Sequence, residues 1–279
     1  MDQARLGPAD RYAVIGNPVA HSRSPWIHAQ FAAQTGENIE YGPLLSPLQG
    51  FAATVTAFRA AGGRGTNVTL PFKEEAFALA DSLSARARAA GAVNTLVFSD
   101  AGIRGDNTDG CGLTRDLTLN LGFPIAGRHV LLMGAGGAAR GVLLPLLDEK
   151  PVAVVIANRT IDKARLLAHR VPGRYRGSVL ACGYGDLAGR RFDLVINATS
   201  TGLADAALPL PHGLFAPGSL AYEMVYGRQT AFMNMARADG AAGTADGWGM
   251  LVEQAAEAFF LWRGVRPSTA TVLSILRNT

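Results

Sequence analysis

Cysteine is scarce in this chain, which has only Cys111 and Cys182 among its 279 residues. Two widely separated cysteines cannot build a disulfide framework, and they do not have the spacing of a metal site. The first ten residues lack the apolar block of a signal peptide. No apolar run approaches the roughly 18 residues of a membrane helix. We therefore expect a cytoplasmic protein with no membrane association.

Long runs of one charge are also missing. The chain has 26 Lys and Arg against 22 Asp and Glu, a net charge of +4, with no five like charges in a row. This pattern does not indicate nucleic-acid binding, although the small excess of positive charge favours anionic small ligands. The histidines show no paired-ligand spacing, so no metal is predicted; they are His21, His28, His129, His169 and His212.

Strand-like and helix-like segments alternate along the chain, which predicts an α/β fold with mostly parallel strands. Residues 12–16 form the first predicted strand. Ser24 is the expected N-cap of the following helix, with Pro25 as its first residue and Gly36 just beyond its end. Residues 92–98 and 102–105 are predicted to pair as a hairpin. Repeated βα units are expected from about residue 127 to 246, and the length suits two domains.

A glycine-rich turn lies between a predicted strand and a predicted helix in the segment HVLLMGAGGAARGVLL. Gly134, Gly136 and Ala139 match the pattern G-x-G-x-x-A of a dinucleotide-binding turn. The free N–H groups of such a helix start attract a pyrophosphate, whereas an ordinary glycine-rich loop is the alternative interpretation. The predicted coenzyme contacts of the turn are Gly134, Ala135, Gly136, Gly137 and Ala138.

The next strand of the pair ends at Asn158, Arg159 and Thr160, followed by Lys163. An NAD-binding site usually has a carboxylate here to accept the ribose 2′-hydroxyl, and this chain has none. Arg159 offers a planar fork that suits the 2′-phosphate of NADP, so NADP is favoured. The alternative is an exposed arginine that opens a helix capped by Thr160.

Polar residues in the first 111 residues stand where folding does not require them. Ser22 and Ser24 follow the first strand, although a loop hydroxyl and an N-cap would also explain them. Lys73 lies in a first helical turn, where the helix dipole disfavours a cation, and Glu74 and Glu75 offset this cost.

Three further polar residues, Asn67, Thr69 and Asn94, lie at the ends of predicted strands and could simply bond their own backbone. Asp109 in GDNTDG could be a turn acid beside Gly110.

Together these segments resemble the shikimate dehydrogenase family over residues 12–264. The motifs that carry the resemblance are GNPVAHSRSP, NVTLPFKEEAFALAD, GAVNTL, GDNTDGCGL, GAGGAARGVLLPLL, NRT, NATSTG and GMLVEQAAEAFFLW. The resemblance implies NADP-dependent reduction of 3-dehydroshikimate to shikimate in chorismate and aromatic amino acid biosynthesis. It implies a substrate domain of residues 1–111 and 247–279, a Rossmann-like NADP domain of residues 112–246, and a cleft between them, with the C-terminal helices returning to the substrate domain.

The resemblance also implies roles for individual residues. Lys73 and Asp109 match the catalytic pair. The positions that match substrate-binding groups are Ser22, Ser24, Thr69, Asn94, Tyr226 and Gln254. The coenzyme positions beyond the glycine turn are Asn158, Arg159, Thr160, Lys163, Asn197, Thr199, Gly247 and Met250. Glu223 stands where the family more often has Asp, and the resemblance gives it no role.

Two alternatives stay open from sequence. One is a quinate/shikimate dehydrogenase or a related enzyme acting on another hydroxy acid. The other is a nucleotide-sensing module without turnover, which would keep the glycine turn but should lack the pair Lys73 and Asp109. The expected partner is a small-molecule substrate, and the chain is expected to be a monomer or a homodimer.

Overall fold

The computed structural model describes residues 7–199, 201 and 207–277. The chain divides into two compact units. The first extends to Thr108 and resumes at Val252, and the second comprises Asp109–Leu251. These bounds lie a few residues from those expected from sequence. The described C-terminal residues from 252 onward belong to the first unit.

The sheet of the first unit is mixed. Its six strands lie in the order β2-β1-β3-β5-β6-β4. β1 is parallel to β2 and β3, whereas β5 is antiparallel to β3 and β6. The predicted hairpin is thus confirmed as β5 and β6. The strands are β1 Asp10–Gly16, β2 Ile39–Leu45, β3 Gly63–Val68, β4 Ser82–Leu83, β5 Thr95–Ser99 and β6 Gly102–Asp106.

Four helices lie between these strands. They are α1 Ser24–Thr35, α2 Phe51–Ala60, α3 Lys73–Leu79 and α4 Ala85–Ala90. The predicted end of α1 is confirmed, because Gly36 adopts the left-handed conformation there. The N-cap prediction for Ser24 is wrong, since Ser24 is already helical and Arg23 is the N-cap. The hydroxyl of Ser22, just before the N-cap, accepts the backbone N–H of Ser24 at 3.2 Å.

The sheet of the second unit is entirely parallel, with the order β12-β11-β10-β7-β8-β9. Alternate residues of its central strands face two apolar clusters, one on each side. Burial on both faces explains the continuous apolar runs in the sequence. The strands are β7 His129–Met133, β8 Ala153–Ala157, β9 Val179–Cys182, β10 Phe192–Asn197, β11 Phe215–Glu223 and β12 Gly243–Ala245.

The helices of the second unit include α5 Asp109–Arg115, which continues as a π-helical turn over Asp116–Asn120, α6 Gly137–Asp148, α7 Ile161–His169 and α8 Ala231–Ala238. α9 Trp248–Arg263 and α10 Ala270–Arg277 complete the described chain. The α/β prediction is confirmed. None of the helices in the described ranges has both the length and the apolarity to span a bilayer.

Candidate active site

The carboxyl ends of the parallel strands in the second unit line up in one row. The register pairs Cys182 with Ala157, Ala157 with Met133, and Met133 with Asn197. Asn197 in turn pairs with Glu223 at the end of β11. Ligands of open α/β sheets bind beyond the carboxyl ends of the strands, at the point where the strand order reverses. Here that point is β7, which has β8 on one side and β10 on the other.

The glycine turn follows β7 at this point. Gly134 has a φ of +104°, and a Cβ there would lie 3.0 Å from the carbonyl oxygen of Ala198. Glycine is therefore required by conformation and by space. Gly136, the N-cap of α6, provides no side-chain cap, and a Cβ on it would meet no atom within 4 Å. Ala135 lies in the same turn, and Gly137 and Ala138 begin α6. The turn can accept a pyrophosphate at the helix start.

The end of β8 carries cationic and neutral groups. Asn158 donates from Nδ2 to the carbonyl of Thr160 at 2.8 Å, which fixes the loop. Arg159 and Lys163 are exposed. Thr160 is the N-cap of α7, but its side chain makes no capping bond. No acidic residue ends β8, so the groups present suit a 2′-phosphate better than a 2′-hydroxyl.

β10, which lies on the other side of β7 from β8, ends in a buried amide, Asn197. Asn197 accepts at Oδ1 from the backbone N–H and the hydroxyl of Thr199, at 3.1 and 2.7 Å. Its Nδ2 donates to Oε2 of Glu223 at 2.7 Å. Burial raises the pKa of the Glu223 carboxyl, and hydrogen bonds from Val225, Asn197 and Thr230 oppose that rise without cancelling it.

The start of α9 is held by a second buried acid. Tyr222 donates its hydroxyl to Oδ2 of Asp116 at 2.7 Å, and both side chains are buried. A Cβ on Gly249 would lie 1.8 Å from Oδ1 of Asp116, so only glycine allows this approach. Gly247 donates its N–H to the carbonyl of Val225 at 3.1 Å. Met250 lies in the first turn of α9, which begins at Trp248. Its side chain is buried in the apolar cluster that also contains Tyr222.

Two predicted residues of the second unit remain. Tyr226 is half-buried and packs at an angle on Trp248, with 4.6 Å between the ring centroids. Asp109 is buried and is the first residue of α5, so it is not a turn acid. A carboxylate is favourable at that helix position.

Asn94 is the centre of a buried polar network in the first unit. Its Oδ1 accepts from the N–H of Thr108 at 2.8 Å and from the hydroxyl of Thr95 at 2.9 Å. Its Nδ2 donates to the hydroxyl of Thr108 at 2.9 Å and to Oε1 of Gln254 at 3.4 Å. The structure therefore brings together Asn94 and Gln254, which are far apart in sequence. Thr108, which links them, was missed because a threonine in a loop gives no local signal.

Asn67 extends this network. It accepts the hydroxyl of Tyr41 at 2.8 Å and donates to the hydroxyl of Thr95 at 3.1 Å, so it does more than bond its own backbone. Tyr41 stacks on His28, with 4.1 Å between the centroids. Burial lowers the pKa of His28 to about 3, so this histidine is neutral.

The other predicted residues of the first unit follow β1 and β3, which are adjacent strands. Ser22 is half-buried and Ser24 is buried. The N–H of Thr69 donates to the carbonyl of Ile15 at 2.9 Å, which joins the ends of the two strands. Lys73 is the half-buried first residue of α3, and its carbonyl accepts from the N–H of Val93 at 2.9 Å. Ser22, Thr69 and Lys73 thus extend from one edge of the sheet.

Comparison with known proteins identifies the family. Three family models match: the shikimate dehydrogenase substrate binding domain over residues 14–96, shikimate / quinate 5-dehydrogenase over residues 118–204, and the shikimate 5′-dehydrogenase C-terminal domain over residues 247–277. A shikimate dehydrogenase (NADP(+)) of Methylobacillus flagellatus is 61% identical, with 96% of this chain and 99% of that protein covered. The chain belongs to the shikimate dehydrogenase family.

Solved structures agree with this assignment. An Ael1 enzyme from Pseudomonas putida is 49% identical, with 96% of this chain and 98% of that chain covered and a TM-score of 0.91. Shikimate 5-dehydrogenase from Thermus thermophilus, in complex with NADP(H) and shikimate, is 35% identical, with 96% and 99% covered and a TM-score of 0.85. The family resemblance seen in the sequence is confirmed, as is a substrate unit followed by a Rossmann-like unit.

One feature of this shikimate dehydrogenase family member was not predicted at all. Arg86 donates to Oδ1 of Asp106 at 2.6 Å and to Oε1 of Glu257 at 2.9 Å. Glu257 also accepts from Arg266. Asp106 ends β6 shortly before Thr108, and Glu257 lies one helical turn beyond Gln254. The ion network therefore fixes two segments that carry the Asn94 network. In the described part of the chain, no three His, Cys, Asp or Glu residues form a group that could hold a metal ion.

Proposed function

We propose that this chain catalyses the reversible NADPH-dependent reduction of 3-dehydroshikimate to shikimate, a step of chorismate and aromatic amino acid biosynthesis. The observation that carries the proposal is the 61% identity, over nearly the full length of both chains, to a shikimate dehydrogenase (NADP(+)). The carboxylate-free end of β8 supports NADP as the coenzyme.

The residues of the second unit fit NADP. The turn from Gly134 to Ala138 would hold the pyrophosphate, and Asn158, Arg159, Thr160 and Lys163 would surround the 2′-phosphate. Asn197, Thr199, Gly247 and Met250 would line the nicotinamide side. When bound, the reduced coenzyme supplies a hydride to the ring ketone of the substrate.

The substrate groups come from polar side chains that local folding does not require. Ser22, Ser24 and Tyr226 would bind the substrate carboxylate. Thr69, Asn94, Asp109 and Gln254 would hold the ring hydroxyls, and the hydrogen bond between Asn94 and Gln254 supports their grouping.

Lys73 would supply the proton. Hydride addition leaves negative charge on the former ketone oxygen, which requires a donor and a proton source. A lysine ammonium provides both, and Asp109 would orient Lys73 and a ring hydroxyl. In the reverse direction the neutral amine takes the proton of the alcohol.

Lys73→Ala tests this assignment. We expect kcat for NADPH oxidation with 3-dehydroshikimate to fall by about 10²- to 10⁴-fold, with little change in KM, because a proton-transfer group is lost. Glu75→Ala, an exposed change in the same helical turn, is the control and should keep kcat within about twofold. A normal kcat for Lys73→Ala would remove Lys73 from the chemistry.

Arg159→Ala tests the coenzyme assignment. Loss of a charge-assisted contact to the 2′-phosphate should weaken NADPH binding by about 10- to 100-fold and leave NADH binding unchanged. Arg165→Ala is the matched control, because Arg165 lies on α7 and pairs with exposed Asp162 at 3.1 Å. Unchanged NADPH affinity in Arg159→Ala would contradict the 2′-phosphate assignment.

The substrate assay also separates the alternatives. Turnover of 3-dehydroshikimate with NADPH would exclude a nucleotide-sensing module without turnover. A parallel assay with dehydroquinate tests the alternative of a quinate/shikimate dehydrogenase. The free cysteines Cys111 and Cys182 suit the reducing cytoplasm that we propose as its location. Sedimentation distinguishes a monomer from a homodimer, the two states that we expect.

A further inference from the structure

Glu223 has a fully buried carboxylate at the end of β11. Its Oε2 accepts from Nδ2 of Asn197 at 2.7 Å and from the hydroxyl of Thr230 at 3.0 Å. Its Oε1 accepts from the N–H of Val225 at 3.1 Å. One carboxylate therefore joins the end of β10, the turn after β11 and the start of α8.

The hydrogen bonds of Asn197 connect Glu223 to Thr199, in the loop that follows β10. With Nδ2 directed to Glu223, the Oδ1 atom of Asn197 faces Thr199 and accepts both its N–H and its hydroxyl. The hydroxyl of Thr199 lies 2.5 Å from that of Thr201. Because the amide has one donating and one accepting end, an acceptor at position 223 sets which end faces the loop.

The order of the strands shows which part of a dinucleotide this loop meets. The glycine turn follows central β7, and the cationic end of β8 lies on one side of it. A coenzyme with its pyrophosphate at the turn and its 2′-phosphate at β8 must extend its other half toward β10 and β11. Asn197 and Glu223 stand at the ends of those two strands.

We propose that Glu223 is a positioning residue that fixes the nicotinamide side of the coenzyme site through Asn197 and Thr199. The identity of the coenzyme rests on the proposed function. Glu223 does not touch the coenzyme in this proposal. Glu223 accepts hydrogen bonds from three donors. An amide at this position would also donate, so its N–H would face one of those N–H or O–H groups, and the Asn197 amide would turn to avoid this contact.

A second carboxylate at the opposite end of the same strand provides a matched control. Asp239 accepts the N–H of Gly213 at 2.8 Å and that of Leu214 at 3.2 Å, just before β11 begins. Glu223 and Asp239 thus both organise backbone next to β11. Only Glu223 lies at the carboxyl end, where the coenzyme is expected.

The experiment compares Glu223→Gln, Glu223→Asp and Asp239→Asn. Affinities for NADPH and for adenosine 2′,5′-bisphosphate, a probe of the adenosine half, are measured by calorimetry without substrate. Glu223→Gln should weaken NADPH by about 10- to 100-fold, because leaving a buried polar group unsatisfied has effects of that size, and should leave the bisphosphate affinity within about twofold. Glu223→Asp keeps an acceptor-only group and should retain more NADPH affinity than Glu223→Gln. Asp239→Asn should lower the melting temperature and change neither affinity.

Each outcome decides the proposal. Unchanged NADPH affinity in Glu223→Gln, or equal losses for NADPH and the bisphosphate, would overturn it, as would the same NADPH loss in Asp239→Asn. If Glu223→Gln does not fold, Thr230→Val and Thr230→Ser replace it. Valine removes one donor to Glu223 and should weaken NADPH alone by about fivefold, whereas serine keeps the hydroxyl and should not. Wild-type binding of NADPH without reduction of 3-dehydroshikimate would contradict the proposed function and leave this inference testable.

Discussion

Two buried acids of the first unit and one of the second differ in the groups that donate hydrogen bonds to them. In the first unit, Asp106 and Glu257 are nearly inaccessible and bond to arginines. In the second, Glu223 is fully buried and bonds to an amide, a hydroxyl and a backbone N–H group. Burial alone acts in the same direction on all carboxyl groups, because it penalises the charged form.

The pKa values show the result of this difference. Burial raises the pKa of Asp106 and of Glu257, but the hydrogen bonds and positive charges of Arg86 and Arg266 act against it. With the bonds of Ser84 and Asn107 to Asp106, they bring both pKa values below their usual range. Burial also raises the pKa of Glu223, and its neutral donors do not compensate. Arginine partners thus accompany the two lowered pKa values, and neutral donors accompany the raised one.

Removing the counter-charge should have the largest effect on stability. Arg86→Ala leaves two buried carboxylates without a shared cation, so we expect the free energy of unfolding to fall by about 3–5 kcal/mol. The measurement is urea unfolding followed by circular dichroism. Arg104→Ala is the control, because Arg104 is more than half exposed and lies 3.6 Å from the same Asp106 carboxylate. It should cost less than about 1 kcal/mol. Equal effects of the two changes would contradict the importance of the buried bridge.

Removing a neutral donor should have a smaller effect. Tyr222→Phe keeps the ring but leaves Oδ2 of buried Asp116 without the hydroxyl, at an expected cost of about 1–3 kcal/mol in unfolding free energy. Tyr175→Phe is the same substitution at an exposed bond, to Asp148, and should change stability by less than about 0.5 kcal/mol. A loss for Tyr222→Phe as large as that for Arg86→Ala would remove the distinction between a neutral and a charged donor.

The sequence predicts the fold of the second unit better than it predicts the hydrogen bonds of the buried acids. Continuous apolar runs mark its central parallel strands, and the glycine turn marks the carboxyl end of β7. Both signals are local, since they lie within one strand, turn and helix. The choice of N-cap failed for a related reason. Ser24 has the local preference of an N-cap, but in the folded chain it is already helical and the N-cap is Arg23, which has no such preference.

The buried acids depend on contacts that no local pattern contains. Arg86 and Glu257 are 171 positions apart, and Tyr222 and Asp116 are 106 apart. In the sequence each looks like an ordinary surface charge or strand residue. The family resemblance predicts ligand contacts for groups such as Asn197, but it gives no role to the residues behind them, such as Glu223.

A change of pH should have the smallest effect on the free energy of unfolding. The sign of that effect should differ between Glu257, which has arginine partners, and Glu223, which has neutral donors. Glu257 has a lowered folded pKa, so its stabilising contribution is present above the unfolded pKa of about 4.3 and is lost as pH falls through the folded value. Glu223 has a raised folded pKa. Between about 4.3 and that raised value the folded state binds more protons than the unfolded chain, so its contribution to stability increases as pH falls.

Unfolding free energies from about pH 3.5 to 7 for wild type, Glu257→Gln and Glu223→Gln measure both contributions. The wild-type advantage over Glu257→Gln should shrink toward the acid end of this range, whereas the wild-type stability relative to Glu223→Gln should rise as pH falls toward about 4.3. One pKa unit corresponds to about 1.4 kcal/mol, so each change should be smaller than the loss of Arg86. Because both variants replace a buried glutamate by the same amide, opposite signs are expected from the arginine partners of Glu257 and the neutral donors of Glu223. The same sign in both would mean that burial outweighs the counter-charge in the first unit as well.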